Sequence, residues 1–242
     1  MRIIADTHTH TLMSGHAHST LLENITEAKR KGLKFLAVTD HTGIMPDAPS
    51  ETYFACMWST IPDEHNGLYL LRGCEANILD ETGKMDISDR MLGRLEWVIA
   101  SIHGVLTQPM DVRQCTKLWR NIAENPNVDV IGHCGEEKFK FDYEEVIPAF
   151  AQYGKIVEIN SSSFKNRPSC KDNCMKIARL CEEYGVPLVV SSDAHFAADV
   201  GNVDRAVLLL QQYGISEETI LNADIKRFSE KVRGITGRKF EF

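Results

Sequence analysis

The chain has 242 residues, a formal net charge of −7 and 25% charged residues. This acidic balance, with no basic block, excludes nucleic acid as a bulk partner, because phosphate-backbone binding needs a positive footprint. No apolar run approaches the roughly 18 residues of a membrane span and the first residues lack the apolar core of a secretory leader, so the expected address is cytoplasmic, with no membrane partner.

Taken in order, Arg2-Ile3-Ile4-Ala5 runs as a short strand into Asp6-Thr7-His8-Thr9-His10, and His16 and His18 follow closely. Strand alternation puts His8 and His10 on one face, where two imidazoles suit one metal ion. Residues 21–32 read as a helix with Leu22, Ile25 and Ala28 on its apolar face and Gly32 as its stop. The next strand, Phe35-Leu36-Ala37-Val38-Thr39, ends in Asp40-His41. Residues 43–62 carry three prolines and read as a long loop with a helix near 53–60, placed as an active-site cover.

A third strand over 68–77 carries Glu75 near its end, and a fourth, Trp97-Val98-Ile99-Ala100-Ser101-Ile102, ends in His103. After a helix near 111–123, Val128 to Gly132 ends in His133. A helix over 143–153 leads to Lys155-Ile156-Val157-Glu158-Ile159, followed by Asn160 and the run Ser161-Ser162-Ser163, which reads as an anion-contacting loop. A helix over 171–184, closed by Gly185 and Pro187, precedes a last strand ending in Ser192-Asp193-Ala194-His195, and helices near 203–212, 216–221 and 224–232 finish the chain.

Strand and helix signals alternate about every 30 residues, as βα units do. Seven apolar strands predict a parallel barrel one unit short of eight, a single domain over 1–242, with polar groups at the strand C-termini where a barrel places its chemistry. The seven cysteines contain no C-x-x-C pair, which disfavours a disulfide framework and a zinc ribbon. They are expected to be reduced and mostly buried, with Cys74 and Cys134 turned away from the face that carries Glu75 and His133.

The ordered set Asp6-Thr7-His8-Thr9-His10, His16-Ala17-His18, Thr39-Asp40-His41, Arg72-Gly73-Cys74-Glu75-Ala76-Asn77, Glu158-Ile159-Asn160-Ser161-Ser162-Ser163-Phe164 and Ser192-Asp193-Ala194-His195 spans nearly the whole chain. It resembles the PHP domain, named for polymerases and histidinol phosphatases, and most closely the small bacterial phosphatases of the YcdX type. The resemblance implies a distorted (β/α)7 barrel, in the α/β class, with a three-metal site at the C-terminal ends of the strands. His8, His10 and Asp193 would hold one ion together with Glu75, which bridges to a second held by His103 and His133, and His16, His41 and His195 would hold the third. His18 stands where the relatives carry an aromatic phenol and is a candidate substrate contact, and Arg167, beyond the serine run, is a candidate for gripping phosphate.

The activity this implies is hydrolysis of a small phosphorylated substrate, a phosphomonoester, by in-line attack of a metal-bound hydroxide. Asp193, Glu75 and His195 are its expected catalytic groups, and Asp193 and Asp40 are candidates for proton handling. Asp6 is expected to orient a histidine. A donor set of nitrogen and oxygen suits three divalent ions, zinc first, with manganese or iron as alternatives. Histidinol phosphatase, or another PHP-type metallohydrolase such as a phosphodiesterase, is the runner-up, and homo-oligomerisation is left open.

Overall fold

The structure, a computed structural model, describes residues 1–242, the side chain of Pro168 excepted. The apolar runs become β1 (Ala5–Asp6), β2 (Phe35–Val38), β4 (Leu68–Asn77), β5 (Trp97–Ser101), β6 (Val130–Ile131), β7 (Ile156–Asn160) and β8 (Leu188–Ser191), all parallel and hydrogen-bonded in sequence order. The short β3 (Glu64–His65), which the sequence reading does not include, pairs antiparallel with the start of β4. The sheet curls into a distorted barrel, as expected.

Period-two alternation divides the apolar residues between two cores. Phe35, Ala37, Leu71, Trp97, Ile99, Val130, Ile156 and Val189 fill the barrel interior. Their neighbours Leu36, Val38, Leu70, Cys74, Val98, Val157 and Val190 face the helices. Cys74 and Cys134 lie in this outer layer, and six of the seven cysteines are buried, Cys56 alone being exposed.

The helices are α1 (Leu21–Arg30), α2 (Glu51–Thr60), the short α3 (Asp89–Leu92), α4 (Val112–Glu124), α5 (Tyr143–Gln152), the short α6 (Ser163–Asn166), α7 (Lys171–Tyr184), α8 (Asp204–Gln212) and α9 (Ile225–Thr236). Thr20 and Glu23 form a capping box that starts α1, and Asp111 and Gln114 do the same for α4. Ile25 and Ala28 of α1 are buried as expected, but Leu22 is 63% exposed and Asn24 takes the inward position, its Nδ2 donating to His10 O at 2.8 Å. A buried amide thus serves the histidine strand where the apolar pattern alone would place a leucine. Helix α9 closes the bottom of the barrel, Phe228 packing edge-on against Phe35 with ring centroids 5.0 Å apart. Among the described residues no helix is long and apolar enough to cross a membrane.

The missing eighth unit leaves a seam between β1 and β8. At the mouth the two chains join through Asp193 N to His8 O (3.0 Å) and His10 N to Ala194 O (2.9 Å). Lower down, the buried Asn222 side chain takes the place of a ladder. Its Nδ2 donates to Ala5 O (2.9 Å) and Val190 O (2.7 Å), and its Oδ1 accepts from Val190 N (3.0 Å). Asn222→Ala would strand these three buried backbone groups, so we expect a loss of about 3–5 kcal/mol in urea unfolding, discounted for partial relaxation. A loss below about 1 kcal/mol would show that the seam is held by other contacts.

Candidate metal centre

Glu75 sits at the C-terminal end of β4, is buried, and is encircled by imidazoles. Its Oε1 lies 2.9 Å from His133 Nε2 and 3.3 Å from His103 Nε2. Its Oε2 lies 2.8 Å from His41 Nδ1, 3.3 Å from His8 Nε2 and 3.6 Å from His10 Nε2. Asp193, two residues beyond β8, brings Oδ1 to 3.3 Å from His10 Nε2 and 3.6 Å from His8 Nε2. At the outer edge His195 Nε2 and the exposed His16 face each other, nitrogen to nitrogen, at 3.1 Å. All nine residues expected as ligands therefore meet at one end of the barrel.

The far sides of these rings are fixed by hydrogen bonds that also set their tautomers. His8 Nδ1 donates to Glu158 Oε1 at 2.6 Å, and Glu158 also accepts from Ser191 Oγ and from His133 N. His103 Nδ1 donates to Asn77 Oδ1 at 2.7 Å. His10 Nδ1 donates to Ser14 Oγ at 3.0 Å, and Ser14 in turn donates to Asp40 Oδ1 at 2.7 Å. His195 Nδ1 donates to Asp193 O at 3.0 Å. The opposite nitrogens of His8, His10 and His103 point at the Glu75 and Asp193 carboxylates, and that of His195 at His16.

Four of the inward atoms, His8 Nε2, His10 Nε2, His41 Nδ1 and Glu75 Oε2, are buried without a hydrogen-bond partner. Buried polar atoms in a folded protein are otherwise almost always satisfied, and converging imidazole and carboxylate donors fit a divalent cation. Among the described residues, the trios His8–His10–Glu75, His41–Glu75–His103 and His10–His41–His195 each have their donor atoms within 4.8 Å of one another. They share His10, His41 and Glu75, so the donors form one continuous cluster.

Burial pushes the Glu75 carboxyl upward, but His8, His103 and His41 outweigh it and hold the group well below the ordinary carboxylate range. Asp193 is likewise held down against burial, by His8 and His10. Burial and then the neighbouring His41 lower His10, favouring the neutral ring that a metal needs. Two of the cluster's residues also sit in the left-handed region of backbone space, His133 at φ 24° and Asp193 at φ 56°. Such positions cost on the order of 1–3 kcal/mol each and concentrate at functional sites. Gly132 serves the same bend: a Cβ there would fall 2.1 Å from Ser101 Oγ.

The family model of the PHP domain matches residues 6–233. The chain belongs to the PHP domain family. It is 41% identical over 235 residues to a probable phosphatase of Thermoanaerobacter sp. (strain X514), covering 96% of each chain. It is 43% identical over 232 residues to a probable phosphatase of Caldanaerobacter subterraneus subsp. tengcongensis, covering 95% of this chain and 91% of the relative. Among solved structures it is similar to a histidinol phosphate phosphatase from Lactococcus lactis subsp. lactis, solved with zinc, L-histidinol and phosphate. The TM-score is 0.61 at 16% identity, covering 89% of this chain and 95% of the other, which is a likeness of fold.

The PHP barrel places the remaining expected residues unevenly. Arg167 lines a cavity of about 400 Å³ over the cluster, together with His16, His41, Glu75, His103 and His195. Its Nη1 donates to Ser163 Oγ at 3.2 Å, and Glu136 lies 3.8 Å from its Nε. His18 does not line that cavity; its ring is exposed, and its backbone N–H donates to His195 O at 2.7 Å. Asp6 bonds Ser192 N, Ser192 Oγ and Gly201 N, so it ties the end of β1 to the loop after β8 instead of orienting an imidazole. Glu158 does that work for His8. Asp40 reaches His10 through Ser14, and also accepts from Tyr53 OH at 2.7 Å. The alternation of β7 was the available signal for Glu158, an acid two residues after an interior Ile156.

Proposed function

We propose that this PHP chain is a metal-dependent phosphatase acting on small phosphomonoesters, working as a single unit over residues 1–242. The observation that carries the reading is the convergence of four unpartnered buried donor atoms at the barrel mouth. The naming of relatives at 41% and 43% identity as probable phosphatases supports it. His8, His10, Glu75 and Asp193, then His103 and His133, then His16, His41 and His195 would hold three divalent ions, zinc first and manganese or iron as alternatives. Ions bound there would polarise the phosphoryl oxygens and supply a nucleophile at neutral pH.

The chain's own residues supply position. Glu75 offers one oxygen to the His103 and His133 side and the other to the His8, His10 and His41 side, which is what a bridging carboxylate must do. Asn160 Nδ2 donates to Asp193 Oδ2 at 3.1 Å, directing Oδ1 at the cluster. Arg167 lines the cavity where phosphate would lie and can grip two of its oxygens. His195, anchored by its Nδ1–H on Asp193 O, turns Nε2 outward at the edge of the cavity as the ligand of the outermost ion.

The test is phosphate release by metal-loaded protein from sugar phosphates, nucleotides, phosphoamino acids and aryl phosphates. We expect hydrolysis that a chelator abolishes and zinc or manganese restores. No release from any member of the panel by fully loaded protein would overturn the reading.

A further inference from the structure

A second cavity, of about 270 Å³, adjoins the one over the cluster and shares Asp193 and His195 with it. Its lining includes Lys165, from α6, and Arg205, from the first turn of α8. Arg205 Nη1 donates to Phe164 O at 3.2 Å, the carbonyl of the residue just before Lys165, so the two cations are held on adjoining elements. Among the described residues neither forms an ion pair, whereas the nearby Arg167 has Glu136 beside it. The lining acid other than Asp193 is Asp199, whose Oδ1 accepts from Asn202 Nδ2 at 3.5 Å. With Asp193 committed to the cluster, the side cavity carries one positive charge in excess on a chain of net charge −7.

Two cations lining one cavity against the single free acid Asp199 leave a positive charge that an anion would neutralise. Ser161, Ser162 and Asn166 add neutral polar groups to the same wall, and none of the lining residues is a large apolar side chain. A carboxylate or phosphate fits that chemistry, Arg205 offering a planar pair of donors and Lys165 a point charge.

We infer that the substrate carries a second anionic group, phosphate or carboxylate, which Lys165 and Arg205 hold in the side cavity while its phosphoryl ester lies over the metal cluster. This rests on the phosphatase reading for the word substrate, but the binding geometry stands on the two joined cavities alone. The second anion supplies orientation: a molecule tied at both ends cannot turn its ester away from the cluster.

The inference is tested by calorimetry on metal-loaded protein with non-hydrolysable probes. Alkylphosphonates of two to six carbons are compared with ω-phosphonocarboxylates and α,ω-alkylene diphosphonates of the same lengths. At one or more lengths the second anion is expected to tighten binding by about tenfold or more, and the stronger of the two series names the group. In the double variant Lys165→Gln/Arg205→Gln that gain should disappear while alkylphosphonate binding is unchanged. Lys165→Arg/Arg205→Lys, which keeps both charges, should retain it. No gain at any length, or a gain that survives the double glutamine variant, overturns the inference. Failure of the phosphatase reading would instead appear as absent hydrolysis of every phosphomonoester with the two-anion preference intact.

Discussion

Glu75→Gln is expected to lower phosphate release by about 10³-fold or more and to reduce the metal retained after dialysis. The substitution keeps the volume and one acceptor but removes the charge and offers an N–H₂ to imidazole nitrogens whose lone pairs already face it. Five histidines approach the two oxygens of this one carboxylate, so no neighbour can take over both sides. Elemental analysis and kcat measured on the same sample are the check. Full metal content with activity within tenfold of the parent would remove Glu75 from its bridging role.

The second large effect is expected at Glu158, which lies behind the cluster. Its carboxylate holds the His8 ring, the Ser191 hydroxyl and the His133 backbone N–H, all buried. Glu158→Ala removes the partner that fixes the His8 tautomer and leaves three donors unsatisfied. We expect metal affinity to fall about 10–100-fold and stability to fall by about 3–5 kcal/mol. Glu158→Gln, which can still accept from His8 Nδ1, should lose less of both. Metal titration followed by a chelating indicator, together with urea unfolding, separates the two losses. An alanine variant that binds metal as tightly as the parent would show that His8 is oriented by something else.

The path from sequence to site was unequal across the chain. Seven apolar runs, six of them ending in His, Asp or Glu, were enough to place the barrel, because strand direction alone decides which end a terminal residue occupies, and the family resemblance supplied the set of nine donors. The supporting residues were less legible. Asp6 stands two residues from His8 in sequence, yet its carboxylate turns to Ser192 and Gly201, partners 186 and 195 positions away. Glu158 is 150 positions from His8, and only the parallel order of the strands brings them together. His18 joined the early histidine group by proximity, but the turn after Gly15 leaves its ring in solvent. The serine run forms a short helix that carries Lys165, and no local pattern of three serines could show which cations would gather beside it.

The seam between β1 and β8 gives the cluster a second part to play. At the mouth the barrel is fastened by the backbones of His8, His10, Asp193 and Ala194, three of which lend their side chains to the cluster. Ions gripping those side chains would clasp the first strand to the last, so loading the centre and fastening the cylinder become one thermodynamic event. A descendant of this barrel that discarded its metal could keep its surface and its interior packing, yet it would have to invent another fastening at the rim. Asn222 already serves as such a fastening lower down the same seam, with no ion.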